Sequence, residues 1–457
     1  MAGISRKGER AVVLGGGIAG LTAAGVLASH FEQVTILERD RYAAEPSVRP
    51  HAPQGAHVHI LLAGGLFTLT RLVPQLPTWL DEMGLPEGDL THNMRVASGG
   101  AWLAKVRSGV PFRACTRPML EHLLVRDVEA RANVELWTDC TLTGLGAVPG
   151  ALEYTREGET QRLRADLIVD ASGRSSRAPK WLVAAGAAPA AEEIVDAGVV
   201  YTSCTFEVAA PFADDWTLLA TSPRVPDDPL VGALMRVGER RVLAALVCYG
   251  RPKPPTTVEA FVDQMRQVSV PELWQILRDA TPVTDVVSFS GTRNRLRRFD
   301  APGATVERCV VIGDALCSLN PRYGQGMTVA ALGAEQLGLE LERHWQGRGS
   351  LDGFAARFHA HMAEVLALPW KMALMEDELW VASLSGEALS LRQRLTGRAT
   401  KLVLDRVFSD VDAFIAFMRV AHMLDAPTAL ASPRFLAALL RRPGGRAVEA
   451  PGVGFGR

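Results

Sequence analysis

The sequence predicts an α/β fold in which a parallel nucleotide-binding sheet is interrupted by an inserted β-sheet and followed by a helical C-terminal region. Three observations predict it. A glycine turn with Gly15, Gly17 and Gly20 separates an apolar β-prone run from a small, helix-forming one, the spacing of a Rossmann-like unit. Two further apolar runs, 166–170 and 309–312, end in an acid or a glycine and read as strands of the same sheet. Between them, residues 195–300 hold short β-rich runs that suit a mixed or antiparallel sheet, and helical periodicity dominates after residue 346.

In the turn, Gly15 allows the sharp reversal, Gly17 the close approach of a pyrophosphate, and Gly20 close packing of helix on sheet. The helix that starts there, with Ile18 and Ala19 in its first turn, points unpaired N–H groups and a positive dipole end at whatever lies above. Gln33 to Arg39 reads as a second buried strand ending in Glu38, placed to accept hydrogen bonds from an adenosine ribose, with Arg39 beside it as a further contact. A carboxylate there disfavours a ribose 2′-phosphate, which favours FAD or NAD over NADP.

Residues 41–60 are proline-rich and read as a long loop. They hold His51, His57 and His59, with no Cys, Asp or Glu among these three to complete a ligand set, so no metal site is expected. Apolar residues recur at helical spacing from Ile60 to Met83 with a break at Pro74, and Thr116 is placed to cap a helix starting at Arg117. Residues 134–145 and 161–171 are strand-like. In the insertion, 199–206, 216–221, 230–237, 241–249 and 286–292 read as strands, with a hairpin turn at Val237 to Arg240. Asn320 to Met327 forms a glycine-punctuated loop before a long helix, a second place where backbone N–H groups can face a cofactor. Helices are expected over 354–380, 389–407 and 411–424. The division is therefore 8–194 and 301–345 for the nucleotide-binding domain, 195–300 for the inserted sheet, 346–443 for the C-terminal helices, and a disordered tail at 444–457.

The 457 residues carry a net charge of −1, so no broad field recruits nucleic acid or anionic lipid. No run reaches the ~18 to 20 apolar residues that span a bilayer, and a soluble, cytoplasmic protein is expected. The six cysteines lack C-x-x-C spacing and read as reduced, buried thiols.

Three separated motifs, Gly15 to Gly20 with Glu38, Asp170 to Gly173, and Gly313-Asp314 with Pro321 to Gly326, resemble the FAD-dependent monooxygenases of the para-hydroxybenzoate hydroxylase superfamily over roughly residues 10–345. Arg49, Pro53-Gln54, His57 and His59, with the Asn320 to Met327 loop, are most similar to the flavin epoxidases of polyether polyketide biosynthesis, the lasalocid and monensin type. The resemblance implies an FAD-binding domain of the GR2 type. It implies that Asp314 bonds the ribityl or adjoining hydroxyls, that Gly326 and Met327 present N–H groups to the flavin or phosphate, and that Arg49, Gln54 and Arg117 contact FAD. Pro321 and Gly324 would lie beside the isoalloxazine, where oxygen reacts. Asp170 departs from the hydroxylase branch, which has Asp-Gly where this chain reads Asp-Ala-Ser-Gly-Arg. The source of electrons stays open between NAD(P)H directly and a separate flavin reductase as partner.

The resemblance implies antibiotic-type specialised metabolism: a flavin C4a-hydroperoxide formed with O2 epoxidises an alkene of an apolar polyketide or terpenoid intermediate, with aromatic hydroxylation as the alternative. An alkene needs no protein base; for a phenol, His57 or His59 would serve. Phe206, Leu234 and Tyr249 on the inserted sheet and Trp370 on the C-terminal helices are the substrate-binding candidates, as large apolar side chains suited to a greasy cavity. A flavin-dependent halogenase shares the architecture but needs a lysine that is missing between Lys7 and Lys105. An alkene reductase and a non-catalytic FAD-binding protein are the remaining readings.

Overall fold

The computed structural model describes residues 8–85, 87–146, 148–225, 227–250, 252–347, 350–385, 402–440 and 450–452. Its nucleotide-binding sheet is parallel, in the order Cys309–Val311, Leu167–Asp170, Gly8–Leu14, Phe31–Leu37, Val134–Trp137. Strands buried on both faces need apolar residues throughout, and Val12, Val13, Ile168, Val169, Val310 and Val311 are all sequestered. The glycine helix Ile18–Leu27 and the long helix Gln325–Gly347 pack together over this sheet. The chain order reverses beside Gly8–Leu14, and the carboxyl ends of the strands open there onto a crevice.

The inserted layer is an eight-stranded sheet built on Val199–Glu207, Arg241–Tyr249, Leu230–Arg236 and Leu218–Ser222. All its pairings are antiparallel except one: Leu218–Ser222 runs parallel to Met94–Ser98, a strand drawn from well before residue 195. Val237 N–H donates to the Arg241 carbonyl at 3.0 Å and closes the expected hairpin. Two helices absent from the sequence reading, Val258–Met265 and Glu272–Leu277, cover one face of the sheet. Thr257 caps the first by accepting from Ala260 N–H at 3.2 Å.

The expected helix pair before and after Pro74 appears as Ala63–Leu72 and Leu76–Glu82, and Thr116 caps Arg117–Glu129 through Met119 N–H at 3.3 Å. Helix Phe354–Ser385 runs through Pro369, and Val411–Ala421 follows. The expected helix 389–407 falls mostly outside the described residues, and so does the tail, except that Gly452 N–H donates to Asp214 at 2.8 Å against the inserted sheet. Among the described residues no helix is long and apolar enough to cross a membrane.

Candidate active site

The crevice at the strand ends is a cavity of about 410 Å³ whose walls include Gly15, Gly17, Ile18, Ala19, Glu38, Arg39, Arg49, Gln54, Arg117, Asp314, Gly326 and Met327. The remaining cofactor candidate, Gly20, lies beneath the wall. A Cβ there would sit 1.8 Å from the Gly15 carbonyl oxygen, so Gly20 lets helix and turn touch, as its place in the motif requires. Gly15 has φ +95°, and a Cβ would come 2.7 Å from the Ala171 carbonyl oxygen. Gly17 caps helix Ile18–Leu27 without any side-chain acceptor, which leaves the first N–H groups of that helix for a ligand. These unpaired amides, beside a cradle that a side chain would fill, fit a dinucleotide pyrophosphate.

Glu38 is more than a ribose acceptor. Its carboxylate accepts from Gly16 N–H at 2.6 Å and Asp40 N–H at 2.8 Å, so it also holds the glycine turn in place. Tyr42 donates its hydroxyl to the Gly16 carbonyl at 2.6 Å from the other side. Arg49 is buried among three carboxylates, 3.3 Å from Glu38, 3.5 Å from Asp40 and 3.0 Å from Glu121. Burial opposes its charge, but Glu121, Tyr42 and Glu38 raise its pKa above the ordinary guanidinium value. Arg117 Nε donates to the same Glu121 at 2.8 Å. Arg49 and Arg117, both in the cleft wall, thus share one ionic lattice through Glu121. Asp314 sits on the turn Gly313–Ala315, 3.5 Å from Arg174.

The Asn320 to Met327 loop forms the other rim. Asn320 accepts from Arg322 N–H at 3.1 Å to cap a short 3₁₀ turn, and Gly324 at φ +65° redirects the chain into helix Gln325–Gly347. Pro321 and Gly324 line the cavity, as do His59, Ile60, Leu319 and Phe289 of the inserted sheet.

The two candidate histidines separate. His57 is buried beneath the cavity lining, where Nδ1 shares a 2.8 Å hydrogen bond with Ser203 Oγ. His59 stays in the wall. Its Nδ1 donates to the His57 carbonyl at 2.8 Å, which fixes the tautomer and leaves Nε2 as an acceptor. Burial, then the Arg117 charge, brings the His59 pKa down to about 4, so the ring is neutral at neutral pH. His51 also lines the cavity, and its Nδ1 shares a 2.5 Å hydrogen bond with Asp40 Oδ1.

None of the four substrate candidates is in the cleft wall. Phe206 and Leu234 lie on the sheet face beneath helices Val258–Met265 and Glu272–Leu277, packed with Phe261 and Leu273 and away from the cleft. Alternation puts Tyr201 and Ser203 on the opposite face, toward the nucleotide domain. Tyr249 shares the face of Tyr201 and stacks on Trp380 with ring centroids 4.4 Å apart, outside the cavity lining. Trp370 donates to Glu193 at 3.3 Å and borders a separate cavity of about 340 Å³ with His359 and Met362. Residues the sequence reading passed over supply the rest: Tyr42, Glu121, Arg174, Phe289, and the buried acceptor Asp377.

The sequence matches the model of the FAD binding domain family over residues 9–368. It is 28% identical to Protein Rv3254 of Mycobacterium tuberculosis, over 81% of this chain and 80% of that one. It is 27% identical to a kynurenine 3-monooxygenase of Salinispora tropica, over 72% of this chain and 71% of that one. Among solved structures, the flavin-dependent brominase Bmp2 superposes with a TM-score of 0.65 over 94% of this chain and 97% of its own, at 13% identity, a likeness of fold. With a cleft formed by residues inside the matched span, the chain belongs to the FAD binding domain family, among the FAD-dependent monooxygenases of para-hydroxybenzoate hydroxylase type.

Proposed function

We propose that this protein is a monooxygenase that epoxidises an alkene of an apolar polyketide or terpenoid intermediate, acting in the cytoplasm with electrons from NAD(P)H, directly or through a flavin reductase. The observation that carries it is the apolar lining beside Pro321 and Gly324: Phe289, Ile60 and Leu319 line the same cavity, and a Cβ at Gly324 would come 3.1 Å from the Ile60 carbonyl oxygen. Gly15, Gly17, Glu38 and Asp314 would hold FAD, which supplies the activation and transfer of oxygen. The protein's share is to bind the double bond against that edge and to exclude water.

Aromatic hydroxylation is favoured by one specific feature. His59 Nε2 is a neutral acceptor in the cleft wall, placed to accept a hydrogen bond from a phenol, and relatives named as kynurenine 3-monooxygenases are consistent with it. Likeness to a brominase carries no halogenation here, because no lysine stands between Lys7 and Lys105.

The test is to reduce the FAD-loaded protein anaerobically and mix it with oxygen in a stopped-flow spectrometer, with alkenes or phenols present. A transient absorbance before reoxidation, with decay hastened by an alkene, is expected. Immediate reoxidation in every case removes the monooxygenase reading. A transient hastened only by phenols, and lost to them in His59→Asn, replaces epoxidation with hydroxylation.

A further inference from the structure

Resting on the monooxygenase reading, we propose that Tyr249, Arg322 and Glu376 form a polar anchor that binds a neutral oxygen group, a ketone or a hydroxyl, on an otherwise apolar substrate. The three side chains come from three elements: the end of strand Arg241–Tyr249, the cofactor loop, and helix Phe354–Ser385. Tyr249 Oη, Arg322 Nε and Glu376 Oε1 are buried polar atoms without a close hydrogen-bond partner among the described residues, and the Trp380 indole N–H, likewise unpaired, lies beside Glu376. Tyr249 is 0% exposed. Buried polar atoms in native proteins are nearly always paired, so three orphans from three elements in one neighbourhood point to a partner from outside the chain. That they share a neighbourhood follows from their electrostatics, since after burial itself Glu376 and then Arg322 act most strongly on Tyr249.

The anchor adjoins the reaction space on two sides. Phe289 packs against the Tyr249 and Trp380 cluster and also lines the cleft. Pro321 lies immediately before Arg322 and Gly324 two residues beyond it, and both are in the cleft wall. A substrate held against Pro321 therefore reaches the anchor by displacing the half-buried Phe289 ring.

The chemistry of the group follows from charge. Arg322 already faces two acids, Glu376 and Asp377. A ligand carboxylate would add a third negative group, and a ligand cation would meet the guanidinium. A neutral oxygen suits the set: it accepts from Arg322 Nε–H and the Tyr249 hydroxyl, and a hydroxyl also donates to Glu376.

Three probes on one skeleton test this with the FAD-loaded protein: 2-acetylnaphthalene, 2-naphthoate and 2-ethylnaphthalene, titrated by the flavin difference spectrum. The ketone is expected to bind about tenfold tighter than the hydrocarbon, and the carboxylate more weakly than the ketone. Tyr249→Phe, which keeps the ring stacked on Trp380, should erase most of the ketone's advantage while hydrocarbon binding, FAD content and Tm stay level. Arg322→Met should act in the same direction. Equal binding of ketone and hydrocarbon to the parent protein, a preference for the carboxylate, or an undiminished ketone advantage in Tyr249→Phe each overturns the anchor. So does failure of all three probes to bind a protein that still shows the oxygen transient. Loss of that transient, by contrast, strikes the monooxygenase reading itself.

Discussion

Tyr323 donates its hydroxyl to Asp377 at 2.8 Å and so ties the cofactor loop to helix Phe354–Ser385. Asp377 also accepts from Asn294 at 2.6 Å and Asn320 at 3.0 Å, while Asn320 N–H donates to Asn294 Oδ1 at 2.6 Å. Tyr201 of the inserted sheet donates to Asn320 Oδ1 at 3.3 Å. One buried carboxylate thus joins the Asn320 to Met327 loop to helix Phe354–Ser385 and strand Asn294–Arg297, and Asn320 carries the link on to the inserted sheet. Asp377→Leu leaves three donors unpaired and should cost about 3 to 5 kcal/mol, with FAD lost at lower denaturant. Asp377→Asn keeps the volume and one acceptor and should cost about 1 to 2 kcal/mol. Urea titration of the FAD-loaded variants should rank parent above Asn above Leu; a parent-like Leu midpoint would remove Asp377 from this role.

Arg49 makes the opposite arrangement, one cation among Glu38, Asp40 and Glu121. Removing it leaves three buried carboxylates beside the pyrophosphate site with Arg117 as their near cation, paired to Glu121. Arg49→Met should therefore lower stability by about 3 to 5 kcal/mol and prevent FAD loading, because an anionic cofactor would enter an uncompensated acidic site. Glu121→Gln in the same background relieves part of that charge and should recover part of the loss. The thermal midpoint and the flavin-to-protein ratio of the single and double variants measure it, and an additive double variant would show that no coupling exists.

How legible the site is in the sequence differs by the range of the forces that set it. Gly15, Gly17, Glu38 and the Asn320 to Met327 loop can be read because local backbone rules decide them. The inserted sheet is harder: alternation separates Phe206 from Tyr201, but which face is covered depends on helices Val258–Met265 and Glu272–Leu277. Their signal was present in the Thr257 cap and the spacing of Phe261 and Met265. Asp377 was visible only as an acid between Ala373 and Trp380 on one helix face, and its donors lie on strands and loops distant in sequence. Burial of an acid follows from tertiary partners, which periodicity does not report.

The glycine turn makes a prediction that separates folding from cofactor binding. A Cβ at Gly17 would meet nothing nearer than Arg117 Nη2 at 3.5 Å, an ordinary contact. Gly17→Ala should leave the FAD-free protein within about 0.5 kcal/mol of the parent. Its added methyl nevertheless enters the path of the pyrophosphate, so FAD affinity should fall about tenfold, roughly 1.4 kcal/mol. Gly20→Ala forces a Cβ to 1.8 Å from a backbone oxygen and should destabilise even the FAD-free protein, by about 3 kcal/mol. Denaturation without FAD, followed by FAD titration, checks both; equal stability of the two variants would contradict this geometry.

Four buried histidines contribute to the response to acid. Burial is the first cause that brings His57, His59, His359 and His422 down from 6.5 to about 4. In the folded protein they stay neutral where the unfolded chain already takes up protons. Stability from these sites is therefore fully present above pH 6.5 and is lost as pH falls from 6.5 to about 4, at up to about 1.4 kcal/mol per pH unit for each histidine. His422 isolates the effect, because its role is simple: Nδ1 accepts from Ala63 N–H at 3.2 Å. In His422→Gln the amide oxygen can accept that hydrogen while nothing titrates. Urea midpoints measured from pH 7 to pH 4.5 should decline less steeply in the variant, by close to one proton's share of the slope. Identical slopes would mean that His422 is not held neutral by the fold, since carboxylate titration is common to both proteins and cancels in the comparison.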